Sequence, residues 1–277
     1  MRTTAQNAEL ALLLEVAGTP KPGNVDRDHE YDDLRFEHFL AGAVGARHGF
    51  ERAADGDPVG AAFEDAIEGM ANQRGGNTQF GAVLVLTPLV ATTASGDLTR
   101  ERVRETVAAT TVDDAAGFYR AFEHVDVAVD DPPEGMEPLD VRRGSDAVPT
   151  LRERGLTLEA IMEQSADVDD VAAEWIGGFG RVFGAADRLE ALSGPVADRA
   201  STVFLELLAE QPDTFVVTRQ DRETAEEVQR RAKAVLAGEE RADALADELV
   251  ERDINPGTTA DLTAGALFVA LERGLDV

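Results

Sequence analysis

The chain has 277 residues and carries 54 acidic against 26 basic side chains, a formal net charge of -28 at pH 7. Its 43% hydrophobic content is enough for a sizeable core and argues against wholesale disorder. With no cysteine, a disulfide scaffold, a thiol nucleophile and a cysteine-bound metal are excluded.

A surface this negative repels a phosphate backbone and an anionic bilayer, so neither nucleic acid nor membrane is an expected partner. No apolar run approaches the ~18–20 residues needed to span a bilayer. The N-terminal stretch is interrupted by Glu9 and Glu15 and lacks a basic region. It reads as a first helix, and the expected compartment is the cytoplasm. Lys21 and Lys233 are the sole lysines. Acidic excess, scarce lysine and small apolar side chains resemble the composition of proteins from salt-accumulating microbes, where high salt screens the self-repulsion.

Helical periodicity dominates. Residues 4–17 present an apolar face through Ala8, Leu12, Leu13 and Val16, and Gly18 and Pro20 end the element. Helices are predicted next at 33–53 and 58–73. Asn77 and Thr78 can then cap a long apolar segment that reads as a buried helix kinked near Pro88. Further helices are predicted at 98–110, 113–124, 157–166, 168–192, 195–210, 221–237, 239–251 and 257–273. Asp113, Asp169, Asp221 and Thr258 are first-turn or capping residues. Val125–Val129 and Phe215–Thr218 have strand character, and residues 130–149 form one long Pro/Gly-rich connection. Without alternating strand–helix units the expected fold is all-α, a single compact multi-helix domain over 1–277.

Three polar segments sit at junctions between predicted helices, where the backbone can approach a ligand. Residues 19–34 (TPKPGNVDRDHEYDDL) crowd Lys21, Asn24, Asp26, Arg27, His29, Asp32 and Asp33 into a turn stiffened by Pro20 and Pro22. Residues 74–81 (RGGNTQFG) place Arg74, Asn77 and Thr78 at a helix entry, where free N–H groups suit an anion. Residues 254–265 (INPGTTADLTAG) put Asn255 and Gly257 in a turn and Asp261 one turn into the last helix. Each segment alone is also an ordinary turn or helix entry. Asp113-Asp114 form another acidic helix start that capping explains equally well. Arg142, Arg143 and Asp146 lie in the long connection and could close over a phosphate.

The ordered set PKPGNVD, GGNTQFG and NPGTTADLTAGALF resembles the triphosphoribosyl-dephospho-CoA synthases along nearly the whole chain, most closely a divergent, archaeal-like branch. That resemblance implies an all-helical enzyme. It would transfer the triphosphoribosyl part of ATP to the ribose 2′-hydroxyl of 3′-dephospho-CoA, or of a related acceptor, and release adenine. The family usually reads NTHKG where this chain has Gln79 and Phe80 after the NT pair, and its first motif usually carries glycine, histidine and a DM pair where this chain has RDHEYDDL. Cleaving a C1′–N9 bond in this way needs a clamp on the polyphosphate, help for the leaving base and deprotonation of the attacking hydroxyl. In so acidic a chain, Mg²⁺ held by carboxylates is the economical phosphate partner. The expected metal ligands are Asp26, Asp32, Asp33 and Asp261. Lys21, Asp26, His29 and Asp33 are the expected catalytic groups, with a carboxylate preferred over His29 as the base. Lys21 is also the expected phosphate cation. Asn24, Arg27, Arg74, Asn77, Thr78, Asn255 and Gly257 would hold the nucleotide. The same parts could serve a Mg²⁺-dependent hydrolase of nucleotide or ribosyl bonds, and a non-catalytic helical nucleotide-binding protein is the third reading.

Overall fold

The two most apolar stretches of the sequence become the two innermost helices. A computed structural model describes residues 2–132 and 135–277. Among them fifteen α-helices form one compact arrangement without strands. In chain order these are α1 (Thr4–Ala17), α2 (Phe36–Ala54), α3 (Val59–Met70), α4 (Phe80–Ala94), α5 (Arg100–Ala108), α6 (Val112–Ala121), α7 (Val148–Arg154) and α8 (Leu158–Ser165). There follow α9 (Asp170–Gly177), α10 (Gly180–Ala191), α11 (Val196–Glu210), α12 (Thr214–Arg219), α13 (Arg222–Leu236), α14 (Ala242–Glu251) and α15 (Gly257–Glu272). Helices α4 and α15 are buried almost all round, as segments with no polar face must be. They pack on each other, with α1, α2, α3, α9, α10 and α11 around them. A smaller core joins α11 to α12, α13 and α14 through Phe204, Leu208, Val216, Val228, Leu245 and Leu249.

Helix α4 runs through Pro88 without a break. Proline has no N–H, so the carbonyl of Leu84, four residues back, loses its helical partner. The Trp175 indole fills the gap by donating Nε1–H to that carbonyl at 3.1 Å. Helix α9 is thereby tied to α4 at the one point where α4 cannot bond to itself.

Four sequence expectations are corrected. The segment 168–192 is two helices, because Gly178 and Phe179 both adopt left-handed backbone (φ 67° and 56°). The Glu174 carboxylate then caps α10 by accepting from the N–H groups of Arg181 and Val182 at 3.2 and 3.1 Å. Phe215–Thr218 lies within helix α12, which Asp213 caps through the Val216 N–H, so packing and capping override its β-branched composition. Val125–Val129 forms no strand; Val127, Ala128 and Val129 run as irregular chain along a cavity wall. The connection 130–149 is shorter than expected, since 3₁₀ turns at Glu137–Leu139 and Val141–Ala147 lead into α7. Pro133 and Glu134, within that expected connection, lie outside the described residues. At the other acidic helix start, Asp114 is a cap on Thr111 that also accepts from the Gly60 N–H, and Asp113 is paired on the surface with Arg152.

Replacing Trp175 by Phe is expected to cost about 1–3 kcal/mol, because it leaves a buried carbonyl unpaired. In a Pro88→Ala background, where residue 88 regains its N–H, the same substitution is expected to cost less. Denaturant unfolding of the double-mutant cycle measures both, and equal costs in the two backgrounds would contradict the pairing.

Candidate active site

A cavity of about 570 Å³ opens where the starts of α4 and α15 face α6, α8, α9, α12 and the chain at 127–132 and 136–141. One set of lining residues comes from the three polar motifs: Asn24, Asn77, Thr78, Asn255, Gly257 and Asp261. The other set is apolar and includes Phe118, Phe122, Leu139, Ile161 and Met162. Rings of Phe80 and Phe122 lie 4.8 Å apart, and those of Phe118 and Phe122 lie 5.3 Å apart edge to face, so that wall is aromatic and rigid.

The motifs meet through their glycines. Gly23 is left-handed (φ 79°), and a Cβ there would sit 2.1 Å from the Ile254 carbonyl oxygen and 2.8 Å from the Pro256 ring. This lets the first motif lie against the third, where the Asn24 amide donates to the Pro256 carbonyl at 3.1 Å. The Tyr31 hydroxyl holds Gly23 from the other side, donating to its carbonyl at 2.6 Å. Gly81 does the same for the second motif and the third, since a Cβ there would fall 2.0 Å from Asp261 Oδ2. Asn77 accepts from the Phe80 N–H at 3.0 Å, and the Asp261 carboxyl lies against Gly81, so both sit at the N-terminus of α4. The side-chain oxygens of Thr78, Gln79 and Asn255 are buried without any hydrogen-bond partner. Unpaired polar atoms of that kind are costly to bury, and here they belong to three wall residues of one cavity.

Carboxylates crowd this region. Burial raises Asp261 well above the usual carboxylate range, the charges of Glu15, Asp213 and Asp169 push it the same way, and the Ala82 N–H opposes. Burial also raises Glu15; the charge and hydrogen bond of Lys21 oppose this and Asp26 adds to it. Asp213, 2% exposed, is pushed up to about 6 by burial, against hydrogen bonds from Thr259 and Val216. Its Oδ2 accepts from both the N–H and the hydroxyl of Thr259 at 2.7 Å, which fixes the first turn of α15. Asp169, the N-cap of α9, also lines the cavity and is likewise raised by burial.

Six of the expected site residues share the cavity and seven do not. Lys21 is 1% exposed, ion-paired with Glu15 and 6.0 Å from the Phe204 ring centre. It stands behind the wall instead of meeting a phosphate directly. Asp26 is fully buried and holds its own loop, accepting from the N–H groups of Lys21, Asp28 and His29 and pairing with His29 Nδ1 at 2.9 Å. His29 spends its other nitrogen on Asp247 at 3.3 Å. Arg27, Asp32, Asp33 and Arg74 are exposed and do not line the cavity. The expected metal set of Asp26, Asp32, Asp33 and Asp261 therefore does not assemble. Among the described residues no three His, Cys, Asp or Glu groups converge on a metal position. Arg142 is committed to Asp131 and Asp140 at 2.8 and 2.6 Å. No lysine, arginine or histidine is among the lining residues.

Sequence reasoning missed Glu15, Asp169 and Asp213. Glu15 carried a signal: with Ala8 and Leu12 it follows the helical spacing of a buried face, where an acid is out of place. Asp169 and Asp213 look like ordinary caps, which they also are.

A helical scaffold that brings asparagines, buried acids and two helix N-termini to one apolar-walled cavity defines a small-molecule enzyme site. The family model CitG: ATP:dephospho-CoA triphosphoribosyl transferase matches residues 1–276. The chain belongs to that family and is a triphosphoribosyl transferase enzyme. It is similar to a crystal structure from Archaeoglobus fulgidus, named as a "putative triphosphoribosyl-dephospho-coA synthase". That similarity has 26% sequence identity and a TM-score of 0.70, over 85% of this chain and 99% of the other. No curated protein matches the sequence.

Gly81→Ala is expected to keep the helical fold, because alanine favours a helix, while the overlap with Asp261 lowers the unfolding temperature and displaces that carboxyl. By displacing Asp261 it is expected to lower adenine release from ATP at least about tenfold, an effect of ~1.4 kcal/mol or more on the reaction barrier. Circular dichroism melts alongside an adenine-release assay check this; a folded, fully active variant would remove Asp261 from the site.

Proposed function

We propose that this cavity binds the triphosphoribosyl part of ATP along its motif-derived wall and transfers it to the ribose 2′-hydroxyl of 3′-dephospho-CoA. The observation that carries the reading is the convergence of Asn24, Asn77, Thr78, Asn255 and Asp261 from three distant stretches on one lumen. Asparagine and threonine side chains suit sugar hydroxyls and phosphate oxygens, because they donate and accept without fixed charge. The N-termini of α4 and α15 offer positive dipole ends to an anion. The apolar wall around Phe118, Phe122, Ile161 and Met162 suits the purine and the acceptor's pantetheine arm.

The wall's charge constrains how phosphate enters. Its ionisable side chains are Glu15, Asp130, Asp131, Asp140, Asp169, Asp261 and the high-pKa Tyr119, with no cation among them. The described residues do not build a resident metal site. Magnesium belongs to this reading as the counter-ion that the triphosphate carries in, and no step is derived through it.

The wider setting follows from composition. The acidic excess and the near absence of lysine support a salt-rich cytoplasm as the working solvent. The charge of -28 argues against nucleic acid and anionic membrane as partners. Among the described residues no helix is long and apolar enough to cross a membrane.

The test is adenine release from magnesium ATP with and without 3′-dephospho-CoA, in potassium chloride at a concentration that keeps the chain folded. Release that depends on the acceptor, with formation of the triphosphoribosyl adduct by mass, is expected. Equal release in its absence would make the chain a nucleotide hydrolase.

A further inference from the structure

Two carboxylates on the cavity wall differ in their partners: Glu15 is ion-paired with Lys21, and Asp261 has no cation beside it among the lining residues. Glu15 comes from the last turn of α1 and Asp261 from the first turns of α15, and α1 packs directly on α15. Glu15 faces Lys21, whose buried ammonium has no other hydrogen-bonded acid among the described residues. Protonating Glu15 would strand that ammonium away from water, so the pair favours an ionised Glu15. The other acid near Glu15 in that loop, Asp26, is already spent on three backbone N–H groups and His29. Asp261 has the reverse surroundings. It shares the cavity wall with Glu15 from α1 and Asp169 from the start of α9, Asp213 is bonded two residues away at Thr259, and the Asp261 carboxyl lies against Gly81 of α4. With acids around it and no cation among the lining residues, Asp261 is favoured in its protonated form. Neighbouring acids driven to opposite states are the arrangement that separates acid from base in one site.

We propose that Asp261 is the general acid that protonates the departing adenine and that Glu15 is the general base that deprotonates the acceptor hydroxyl. This rests on the triphosphoribosyl-transfer reading above. The C1′–N9 bond breaks with its electron pair passing to the base, and Asp261 delivers its proton to a ring nitrogen. The acceptor oxygen forms its bond to C1′ and its proton passes to Glu15. Adenine leaves neutral, and the proton gained by Glu15 balances the one lost by Asp261. Exchange with solvent resets both. Lys21 is a positioning residue that acts through Glu15. These roles replace the sequence-based assignment of catalysis to Asp26, His29 and Asp33.

The base must be ionised, so the rate rises as pH climbs through the Glu15 titration. The acid must be protonated, so the rate falls as pH climbs through that of Asp261. The test is single-turnover base release against pH for wild type, Glu15→Gln, Asp261→Asn and Lys21→Met, in high potassium chloride with dephospho-CoA present. Each is run with ATP and with nicotinamide riboside triphosphate, whose base leaves neutral without a proton. Asp261→Asn is expected to slow the ATP reaction about 10²–10⁴-fold and abolish the alkaline limb, while slowing the nicotinamide substrate less than about tenfold. Glu15→Gln is expected to slow both substrates alike and abolish the acidic limb. Lys21→Met is expected to move the acidic limb to higher pH. Equal losses on both substrates for Asp261→Asn, or an intact acidic limb in Glu15→Gln, would overturn the assignment. If circular dichroism shows an amide variant unfolded, Glu15→Asp and Asp261→Glu replace it; unshifted limbs in those folded variants would overturn it equally. Wild-type base release that ignores dephospho-CoA defeats the acceptor reading alone and leaves the Asp261 assignment standing on the leaving-group pattern.

Discussion

Everything in this site depends on gathering acids around one cavity, with Glu15 and Asp213 buried and Asp261 half-buried beside them. A carboxylate loses several kcal/mol of hydration when buried, unless it is paired, hydrogen-bonded or protonated. The fold uses all three remedies. Glu15 takes one of the two lysines in the chain, and Asp213 takes a backbone N–H and a hydroxyl from Thr259. Asp169 is the cap of α9. Asp261 has the least compensation, and it is the one that borders both the lumen and the entry of α4. A protein under no functional demand would place an apolar residue there.

The same economy explains the glycines. A carboxyl group fits beside α4 because Gly81 has no side chain, and the first motif reaches the third because Gly23 lets two backbones touch. The apolar character of α4 and α15 supplies rigidity, since both helices are packed on nearly every face and their N-termini cannot drift. The Trp175 bond to the Leu84 carbonyl extends that rigidity through the proline in α4. Packing, capping and chemistry are therefore one construction, in which the core positions the acids and the acids cap the helices of the core.

Much of this was legible in the sequence. Period-3.6 patterning located the helices, and the glycine-bearing motifs at their junctions located Asn24, Asn77, Thr78, Asn255, Gly257 and Asp261. What failed was the direction of side chains within the first motif. Lys21, Asp26 and His29 sit in a polar loop and look available, yet the loop turns them on itself and on Glu15. Local sequence cannot distinguish an acid that holds its own turn from one that awaits a metal, because both need the same residue beside the same glycine. Helix 168–192 failed for a related reason. The Gly177–Gly178 pair was the stop signal, and it was outweighed by the apolar periodicity on either side. Gln79 and Phe80, which stand where the resembled family usually has a histidine and a lysine, are buried in packing, so no cation follows the NT pair here.

If three distant stretches of chain form one nucleotide site, a bound nucleotide must touch all three. A crystal structure of the protein soaked with magnesium ATP in high potassium chloride tests it most directly. The ribose is expected within hydrogen-bonding reach of Asn77 and Asn255, with Asp261 facing the adenine ring. Nucleotide bound anywhere else on the molecule, with this cavity filled only by solvent, would contradict it.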